Sequence, residues 1–256
     1  MTHAAADFSV VIEGVTINLP TLDAATHAVL ARARAGQGFA LFTLNLDHLV
    51  KLQTSPDFRA AYERAGLVTA DGWPIVWLAQ RQGAQPDRAS GADLVLPVCE
   101  GAASQGSPIY FVGPGPKAQA AALDILKARF PALRVAGAEA PKFPSGETVA
   151  DLAAFDLDAL AARINASGAT LCFLSLGAPK QELLADALSR RCPTVGFLCV
   201  GAALDFISGT VQRAPLWMQK SKLEWFWRLA GDPKRLALRY WRCGVLFLGL
   251  IARGRR

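Results

Sequence analysis

The 256-residue sequence is poor in charged residues and in histidine, and its cysteines form no known motif. Charged residues make up 19% of the chain, below the roughly 25% usual for soluble domains, and hydrophobic residues make up 52%. A chain of this length and composition buries a large core, which excludes an intrinsically disordered protein. The five cysteines include no C-x-x-C pair and lie far from the three histidines. This pattern argues against a zinc site and for reduced thiols in the cytoplasm.

Long apolar segments are also missing. The first residues, MTHAAADFSVVIEG, have neither the basic start nor the apolar run of a secretory signal peptide. The longest apolar run near the end of the chain, Cys243 to Ala252, has ten residues, which is half of the ~20 that a membrane-spanning helix needs. We therefore expect this segment to lie on a membrane without crossing it.

The net charge of +6 is concentrated at one end of the chain. Residues 1–216 have 17 basic and 19 acidic residues, whereas residues 217–256 have ten basic residues and two acidic ones, Glu224 and Asp232. Four of the six tryptophans lie in the same C-terminal stretch. The last 40 residues therefore form a distinct basic, Trp-rich segment.

Short apolar runs alternate with helical patterns up to about residue 214, after a hairpin formed by Val10–Ile12 and Val15–Leu19. This alternation predicts an α/β fold: a Rossmann-like core with a mostly parallel sheet of about six strands over residues 1–214. One of these strands is predicted at Leu133–Ala136. Residues 215–256 are predicted to form a C-terminal helical appendage, with helices at Pro215–Ala230 and Pro233–Arg253 that each begin with a proline.

Candidate ligand-binding residues follow the predicted strands, because ligands of such sheets bind beyond the carboxyl ends of the strands. These residues are Thr43, Asn45, Asp71, Gly113, Gly115, Gly177, Lys180, Gln181, Glu182 and Asp205. The Gly113/Gly115 turn opens a helix, where free backbone N–H groups favour an anion, but Ala118 replaces the third glycine of G-x-G-x-x-G. This turn fits a nucleotide site and a tight connection equally well. The polar Lys180-Gln181-Glu182 sequence after an apolar strand favours ligand contact.

Three acidic or basic positions allow two interpretations each. Asp71, before Gly72, fits an Asx-turn or helix N-cap as well as a general base. Arg88 fits a surface pair with Asp87 or Asp93 better than a phosphate contact. The D-x-D at Asp156 and Asp158 fits the start of a helix better than a metal site.

Seven segments together resemble the WecG/TagA/CpsF glycosyltransferases, which make bacterial surface polysaccharides and wall teichoic acids. The segments are TLNLDH, ADGWP, R-x-S-G-A-D-L, FVGPGP, LGAPKQE, VGAALDFISGTVQRAP and LEWFWRL…DPKR, in this order over about residues 10–243. The resemblance implies an inverting transfer of a sugar from a UDP-sugar to a polyprenyl-diphosphate-linked saccharide at the inner membrane face. It also implies a Rossmann-like fold whose C-terminal appendage helps to close the site, with no catalytic metal and no cofactor.

The resemblance also assigns roles to individual residues. It implies that Asp71 is the base that deprotonates the acceptor, and that Thr43, Arg88 and Gln181 are further catalytic residues. It places Arg228 and Arg235 at the lipid diphosphate. The family's next arginine falls on Leu238, with Arg239 adjacent.

The donor diphosphate needs positive charge, for which the two turns after strands, Arg88 and Arg213 are candidates. The donor-binding set is thus Asn45, Gly113, Gly115, Gly177, Lys180, Glu182, Asp205 and Arg213, and the acceptor diphosphate is assigned to Arg228, Arg235 and Arg239.

The appendage has two interpretations. An apolar Gly244–Ile251 stretch lies between Arg242 and the basic residues Arg253, Arg255 and Arg256. This pattern is typical of a helix that lies in a membrane interface and attaches the protein peripherally to the inner face of the cell membrane. The alternative is a helix that packs Leu246 and Leu250 on the core.

Two other function classes fit less well. A nicotinamide-dependent oxidoreductase needs an acidic residue about 20 positions after the glycine turn, where this chain has Leu133. A nucleic-acid partner is disfavoured because the basic segment contains a long apolar run. The oligomeric state is not predicted.

Overall fold

A computed structural model describes residues 8–144, 148–152 and 155–253, and of Arg235 it describes only the backbone. The chain begins with the predicted hairpin, formed by the antiparallel strands β1 (Val10–Ile12) and β2 (Val15–Ile17). Glu13 and Gly14 make its turn with φ of 48° and 84°. The hairpin prediction is confirmed, and its residues Val10, Ile12, Val15 and Ile17 face the core.

A six-stranded, wholly parallel sheet forms the centre of the molecule. Its strands are β3 (Phe39–Leu44), β4 (Leu67–Ala70), β5 (Ile109–Val112), β6 (Val135–Glu139), β7 (Leu171–Leu174) and β8 (Gly196–Cys199). Their order is β4-β3-β8-β7-β5-β6. Every residue of the five strands other than β6 is buried, as expected for a parallel sheet covered on both faces. The prediction of an α/β, Rossmann-like core is confirmed.

Ten helices of the described chain surround this sheet. They are α1 (Leu22–Arg34), α2 (Leu46–Thr54), α3 (Pro56–Arg64), α4 (Trp73–Arg81), α5 (Gly91–Gln105), α6 (Pro116–Arg129), α7 (Val149–Leu152), α8 (Leu157–Ala166), α9 (Lys180–Ser189) and α10 (Ala203–Ser208). Helices α1, α5, α6 and α10 cover one face of the sheet, and α2, α3, α4, α8 and α9 cover the other. Both faces of the sheet are therefore dry, and its exposed functional groups are confined to the strand ends.

The chain reverses its winding direction between strands β5 and β7. It leaves β5 towards the edge strand β6 and leaves β7 in the opposite direction, towards β8. Such a switch point opens a crevice at the carboxyl ends of the two strands, where ligands of open α/β sheets bind. Gly113 lies here with φ of 75°, and a Cβ atom on it would approach the carbonyl oxygen of Ser175 to 2.6 Å. Only glycine fits this position.

Three helices follow the sheet, where the sequence predicted two. They are α11 (Leu216–Lys220), α12 (Glu224–Gly231) and α13 (Pro233–Arg253). The prediction of one helix over Pro215–Ala230 is wrong, because the chain turns at Lys222, which has a left-handed φ of 63°. The prediction of a helix over Pro233–Arg253 is confirmed with the same bounds.

One face of α13 packs against the core. Phe247 packs edge-to-face on the indoles of both Trp73 and Trp77, with ring centroids 5.9 and 5.4 Å away. Leu250 is buried in the core cluster on that side of the sheet, and Leu246 packs against it. For Leu246 and Leu250 the structure therefore shows the alternative interpretation, in which these side chains pack on the core.

Another face of α13 carries apolar side chains that are exposed. Leu238, Trp241, Val245 and Leu248 are each between 55% and 71% exposed. Their spacing of three, four and three residues places them in one stripe along the helix. Within the residues that the structure describes, no helix is both long enough and apolar enough to cross a membrane.

Candidate active site

Asp71 lies at the carboxyl end of β4, immediately before helix α4. Its backbone N–H donates to the carbonyl of Leu44 at the end of β3, 2.7 Å away. The N-cap of α4 is Gly72, with φ of 86°, and no side chain caps this helix. The interpretation of Asp71 as an N-cap or Asx-turn residue is therefore wrong. Among the described residues no donor hydrogen-bonds to its carboxylate, which is left available for a ligand.

The surroundings of Asp71 raise its pKa towards neutral pH. Burial raises its pKa to about 6, against the opposing effect of the positive charges of Arg228 and Arg88. The negative charges of Glu224 and Asp93 raise the pKa further. A carboxylate with this pKa both accepts a proton readily and is largely ionised at pH 7, which are the properties of a general base.

Arg88 is brought to Asp71 by the backbone of the segment before α5. The N–H of Ala89 donates to the carbonyl of Ala70 over 2.8 Å, and the hydroxyl of Thr69 donates to the carbonyl of Ala89 over 2.7 Å. These two bonds attach the neighbour of Arg88 to strand β4. The arginine therefore lies beside the strand end that carries Asp71.

Three arginines and two carboxylates form what we call the arginine cluster: Arg88, Arg213, Arg228, Asp93 and Glu224. Asp93 binds Arg88 at 2.9 Å and Arg213 at 2.8 Å. Glu224 binds Arg228 at 3.0 Å and lies 3.8 Å from both Arg88 and Arg213. The predicted surface pair of Arg88 with Asp93 is present. The cluster has one more positive than negative charge, and it joins helix α12 to the core.

Aromatic contacts hold α12 in the same place. The guanidinium groups of Arg213 and Arg228 lie over the ring of Phe206, 5.9 and 5.6 Å from its centroid. The indole N–H of Trp227 donates to the carbonyl of Gln212 over 3.2 Å. Arg228, which the resemblance assigned to the acceptor diphosphate, is thus placed beside Asp71 and the donor candidates Arg88 and Arg213.

Gln181 holds the loop that follows β8. Its side-chain oxygen accepts from the N–H of Gly201 over 3.0 Å, and its amide donates to Glu182 over 2.7 Å. The hydroxyl of Ser175 donates to the carbonyl of the same glycine. Gln181 is only 4% exposed. The structure places it beneath the carboxyl edge of the sheet, where it fixes backbone, and not at an open surface.

Glu182 belongs to a buried polar network. The sequence analysis selected Glu182 itself but not the other residues of the network. Its side chain is fully buried, one carboxylate oxygen has no hydrogen-bond partner, and burial raises its pKa to about 7. His48 lies 3.8 Å away, hydrogen-bonds the hydroxyl of Tyr62 at 2.6 Å, and has a pKa lowered by burial to about 3. His48 is therefore neutral at pH 7. Being fully buried, Glu182 has no direct access to a donor.

Thr43 and Asn45 mark the carboxyl end of β3. Thr43 is buried in the strand, paired in register with Thr69 of β4. Asn45 is the N-cap of α2, since its side chain accepts from the N–H of His48 over 3.0 Å. The side-chain oxygen of Asn45 therefore accepts a hydrogen bond from the helix backbone. The side-chain NH₂ group remains to donate to a ligand.

The two glycine turns flank the crevice between β5 and β7. Gly115 is the N-cap of the 14-residue helix α6, and no side chain caps the free N–H groups there. Gly177 is exposed before α9, and Lys180 in the first turn of that helix donates to the carbonyl of Pro144 over 2.7 Å. Asp205 lies on α10, and burial raises its pKa. The turns face one crevice, and the Lys180 ammonium is bound to backbone beside it.

The remaining arginines of the appendage are placed differently. Arg239 forms an ion pair with Asp47 of α2 at 2.9 Å, so it helps to dock α13 on the core. The side chain of Arg235 lies outside the described part of the structure. The charge of Arg228 acts on Asp71 and lowers its pKa.

The D-x-D residues have structural partners. Asp156 is the N-cap of α8 and accepts from the N–H of Ala159 over 2.9 Å, while Asp158 pairs with Arg191. The helix-start interpretation is confirmed. No group of three or more His, Cys, Asp or Glu residues suited to a metal ion occurs in the described residues.

Sequence reasoning missed Glu224 and Phe206 as parts of the site and treated Asp93 only as a surface partner. One signal was present, since Glu224 is one of only two acidic residues in a segment with ten basic ones. An isolated carboxylate in such a segment indicates a specific ionic contact.

A comparison against known families identifies the family of the chain. The model of the glycosyl transferase WecG/TagA/CpsF family matches residues 10–256, which is nearly the whole chain. The match includes the sheet, the arginine cluster and helices α11 to α13. The chain therefore belongs to the WecG/TagA/CpsF family of glycosyltransferases, enzymes of surface polysaccharide synthesis.

Proposed function

We propose that this glycosyltransferase moves a sugar from a UDP-sugar, with inversion, to a polyprenyl-diphosphate-linked saccharide at the inner face of the cell membrane. Its product would be an intermediate of an exopolysaccharide, capsule or teichoic acid. The observation that carries the proposal is Asp71, a carboxylate without a hydrogen-bond partner among the described residues, at the carboxyl end of the edge strand β4 and faced by arginines.

Asp71 supplies the base that an inverting transfer requires. Inversion in one displacement needs a group that takes the proton from the acceptor hydroxyl on the face opposite the leaving group, as in inverting glycosidases. A pKa of about 6 leaves Asp71 mostly ionised at pH 7, so it is ready to accept a proton. The same raised pKa favours the protonated carboxyl that forms when the acceptor hydroxyl gives up its proton. The nearby arginines keep the carboxylate ionised despite its burial.

The arginine cluster supplies positive charge for the leaving group. When the bond to the sugar breaks, negative charge develops on the diphosphate of UDP, and preorganised cations stabilise it. Arg88 and Arg213 are held by Asp93 with further N–H groups free. We infer that the diphosphate also meets the backbone N–H groups at the N-terminus of α6, which no side chain of the described residues caps. Because these groups can carry the charge, we propose that the reaction needs no bound metal.

Arg228 is suited to the diphosphate of the acceptor. It is nearly half exposed on α12, it is paired with Glu224, and its charge reaches Asp71. An acceptor diphosphate bound by Arg228 would bring the saccharide hydroxyl to the base. Arg239, which pairs with Asp47, and Arg235 lie on the following helix and would extend the same positive surface.

The exposed stripe on α13 is suited to contact with lipid. Leu238, Trp241, Val245 and Leu248 line one side of the helix, and Arg242 and Arg253 lie nearby. Tryptophan favours the membrane interface, and each lysine or arginine near an anionic surface contributes about 1 kcal/mol of binding. We propose that residues 215–256 form an appendage that attaches a core of residues 1–214 peripherally to the membrane.

A donor screen tests the proposed reaction. The full chain would be incubated with each of several UDP-sugars and a short-chain polyprenyl-diphosphate-saccharide, and the products analysed by mass spectrometry. We expect one UDP-sugar to add a single residue to the acceptor with release of UDP. Transfer from a different nucleotide-sugar class alone, or hydrolysis without transfer, would contradict the proposal.

A further inference from the structure

Asp93 joins two arginines that come from distant parts of the chain. It lies in the first turn of α5, whose N-cap residue, Ser90, donates its hydroxyl to the Asp93 carboxylate over 2.7 Å. One carboxylate oxygen takes this bond and the 2.9 Å contact with Arg88, and the other takes the 2.8 Å contact with Arg213. Both oxygens are therefore bound, and the carboxylate has a fixed orientation.

The two arginines have no regular structure of their own to orient them. Arg88 lies between α4 and α5, and Arg213 between α10 and α11, in stretches that are neither helix nor strand. A free arginine side chain samples many rotamers, and ordering it costs conformational entropy. The contact with a carboxylate on a 15-residue helix fixes both guanidinium groups relative to the sheet before any ligand arrives.

The cluster is not saturated by its own carboxylates. The Nε atom of Arg213 is buried and has no hydrogen-bond partner among the residues that the structure describes, since Glu224 lies 3.8 Å from it, beyond bonding distance. Arg88 is likewise 3.8 Å from Glu224. Each guanidinium carries five N–H donors, so both keep donors for a further anion. Two guanidinium groups that share a carboxylate and keep free donors suit an anion with several oxygens on two centres, as a diphosphate has.

We propose that Asp93 is a positioning residue that holds Arg88 and Arg213 in the orientation that binds the diphosphate of the nucleotide donor. This inference rests on the proposed function, since it assumes a nucleotide diphosphate as ligand. Asp93 itself, being negative, does not touch the ligand. Its effect on affinity therefore has two opposing parts, because it repels the diphosphate through its charge and favours binding by ordering the arginines.

Two substitutions separate these parts. Asp93→Asn removes the charge and leaves a single acceptor oxygen, so that one arginine faces an N–H₂ group. Asp93→Glu keeps the charge but moves the carboxylate by one methylene group, away from Ser90. Asp186→Asn is the matched control, since Asp186 also bridges two arginines, Arg64 and Arg190, at 2.7 Å each, but does so between α3 and α9.

The measurement is the affinity of the full chain for UDP by calorimetry, together with the unfolding temperature of each variant. If Asp93 positions the arginines, Asp93→Asn weakens UDP binding about ten- to a hundredfold and Asp93→Glu about threefold or more, while Asp186→Asn binds UDP like the wild type. If Asp93→Asn does not fold, Asp93→Glu decides the question by the same criterion.

Two results would overturn the inference. Tighter binding by Asp93→Asn with unchanged binding by Asp93→Glu would mean that Asp93 acts only through its charge. Unchanged affinity in both variants, with a fall in unfolding temperature like that of Asp186→Asn, would mean that its role is only structural. A wild-type chain that binds no UDP would refute the proposed function itself, and this inference with it.

Discussion

The carboxylate of Glu224, on helix α12, lies 3.8 Å from the guanidinium of Arg88. The backbone next to Arg88 is hydrogen-bonded to β4, the strand that precedes Asp71. The same carboxylate lies 3.8 Å from Arg213 and 3.0 Å from Arg228. A single carboxylate of the C-terminal segment, that of Glu224, thus lies close to two arginines of the core, Arg88 and Arg213. A donor diphosphate would compete with it for the same arginines.

We expect Glu224→Gln to tighten UDP binding roughly threefold to fivefold, because the substitution removes a negative charge that competes for Arg88 and Arg213. It also weakens the contact between α12 and the core, so tryptic cleavage at Lys220 or Lys222 is expected to become faster. Calorimetry and timed proteolysis measure the two effects.

Glu100→Gln is the control for Glu224→Gln, since it makes the same change in net charge at an exposed position of α5. It is expected to change neither quantity. Equal UDP affinity in the Glu224→Gln variant and the wild type would show that Glu224 and the diphosphate do not share a site.

Glu182 should make the stability of the protein depend on pH. Burial raises its pKa from 4.5 to about 7 in the folded state, so its contribution to stability is fully present below pH 4.5 and is lost as the pH rises through about 7. Glu182→Gln removes this dependence and is expected to raise the unfolding temperature at pH 8 relative to the wild type, with no such gain at pH 4.5. Calorimetric scans at both pH values check this, and an equal effect at the two would contradict it.

The activity should follow the ionisation of Asp71. Its pKa is about 6, and the base acts in its deprotonated form, so kcat/KM is expected to rise between pH 5 and 7 and then to level off. Arg228→Gln removes the positive charge that lowers this pKa most, so the profile should shift to higher pH. Initial rates at saturating and subsaturating acceptor measure it. A flat profile over this range would contradict the role of Asp71.

Membrane attachment should depend on the exposed stripe of α13. The double variant Trp241→Ser, Leu248→Ser is expected to lose most of its binding to anionic vesicles while it binds UDP normally, because both side chains point away from the core. Ile125→Ser is the control, since Ile125 is 46% exposed on α6. Vesicle sedimentation measures the effect, and full binding by the double variant would rule out this stripe as the lipid contact.

Removal of divalent metal should leave the reaction rate unchanged. The arginine cluster and the N-terminus of α6 provide the charge that the leaving group needs, so we expect full activity in a chelating buffer. A rate that falls on chelation and returns with Mg²⁺ or Mn²⁺ would contradict this assignment of the charge.

The sequence predicts the sheet well because its strands are buried on both faces. Runs such as FALFTL at Phe39–Leu44 contain almost no polar residue and are too short for helices. The edge strand β6 was predicted at Leu133–Ala136 and lies at Val135–Glu139. Its small residues, VAGAE, are only partly buried, so they carry little of the apolar signal that marks the other strands.

The break between α11 and α12 was not predictable from local sequence. Neither glycine nor proline marks it, and Lys222 takes a left-handed backbone conformation there. The Lys222 ammonium lies over the indole of Trp73, 5.0 Å from the ring centroid. This contact joins residues that are far apart in the sequence, and it favours the turn. A prediction from the residues next to Lys222 therefore cannot include it.

The sequence predicted which residues belong to the site, but it did not predict the contacts that their side chains make. The carboxyl-end rule and the family resemblance selected Asp71, Arg88 and Arg228, which the structure brings together. Gln181 and Glu182 were selected in the same way, yet they are buried beneath the edge. The orientation of a side chain at a helix start depends on the packing of the neighbouring strand and helices, and sequence position alone does not determine it.

The most direct test of the account is single-turnover sugar transfer by Asp71→Asn, with UDP binding measured on the same sample. Asp156→Asn, which changes a carboxylate that caps α8, is the control. The account predicts that Asp71→Asn binds UDP with near-normal affinity and transfers sugar about 10²- to 10⁴-fold more slowly than the wild type, while Asp156→Asn keeps its rate. Wild-type transfer by Asp71→Asn would contradict the assignment of Asp71 as the base.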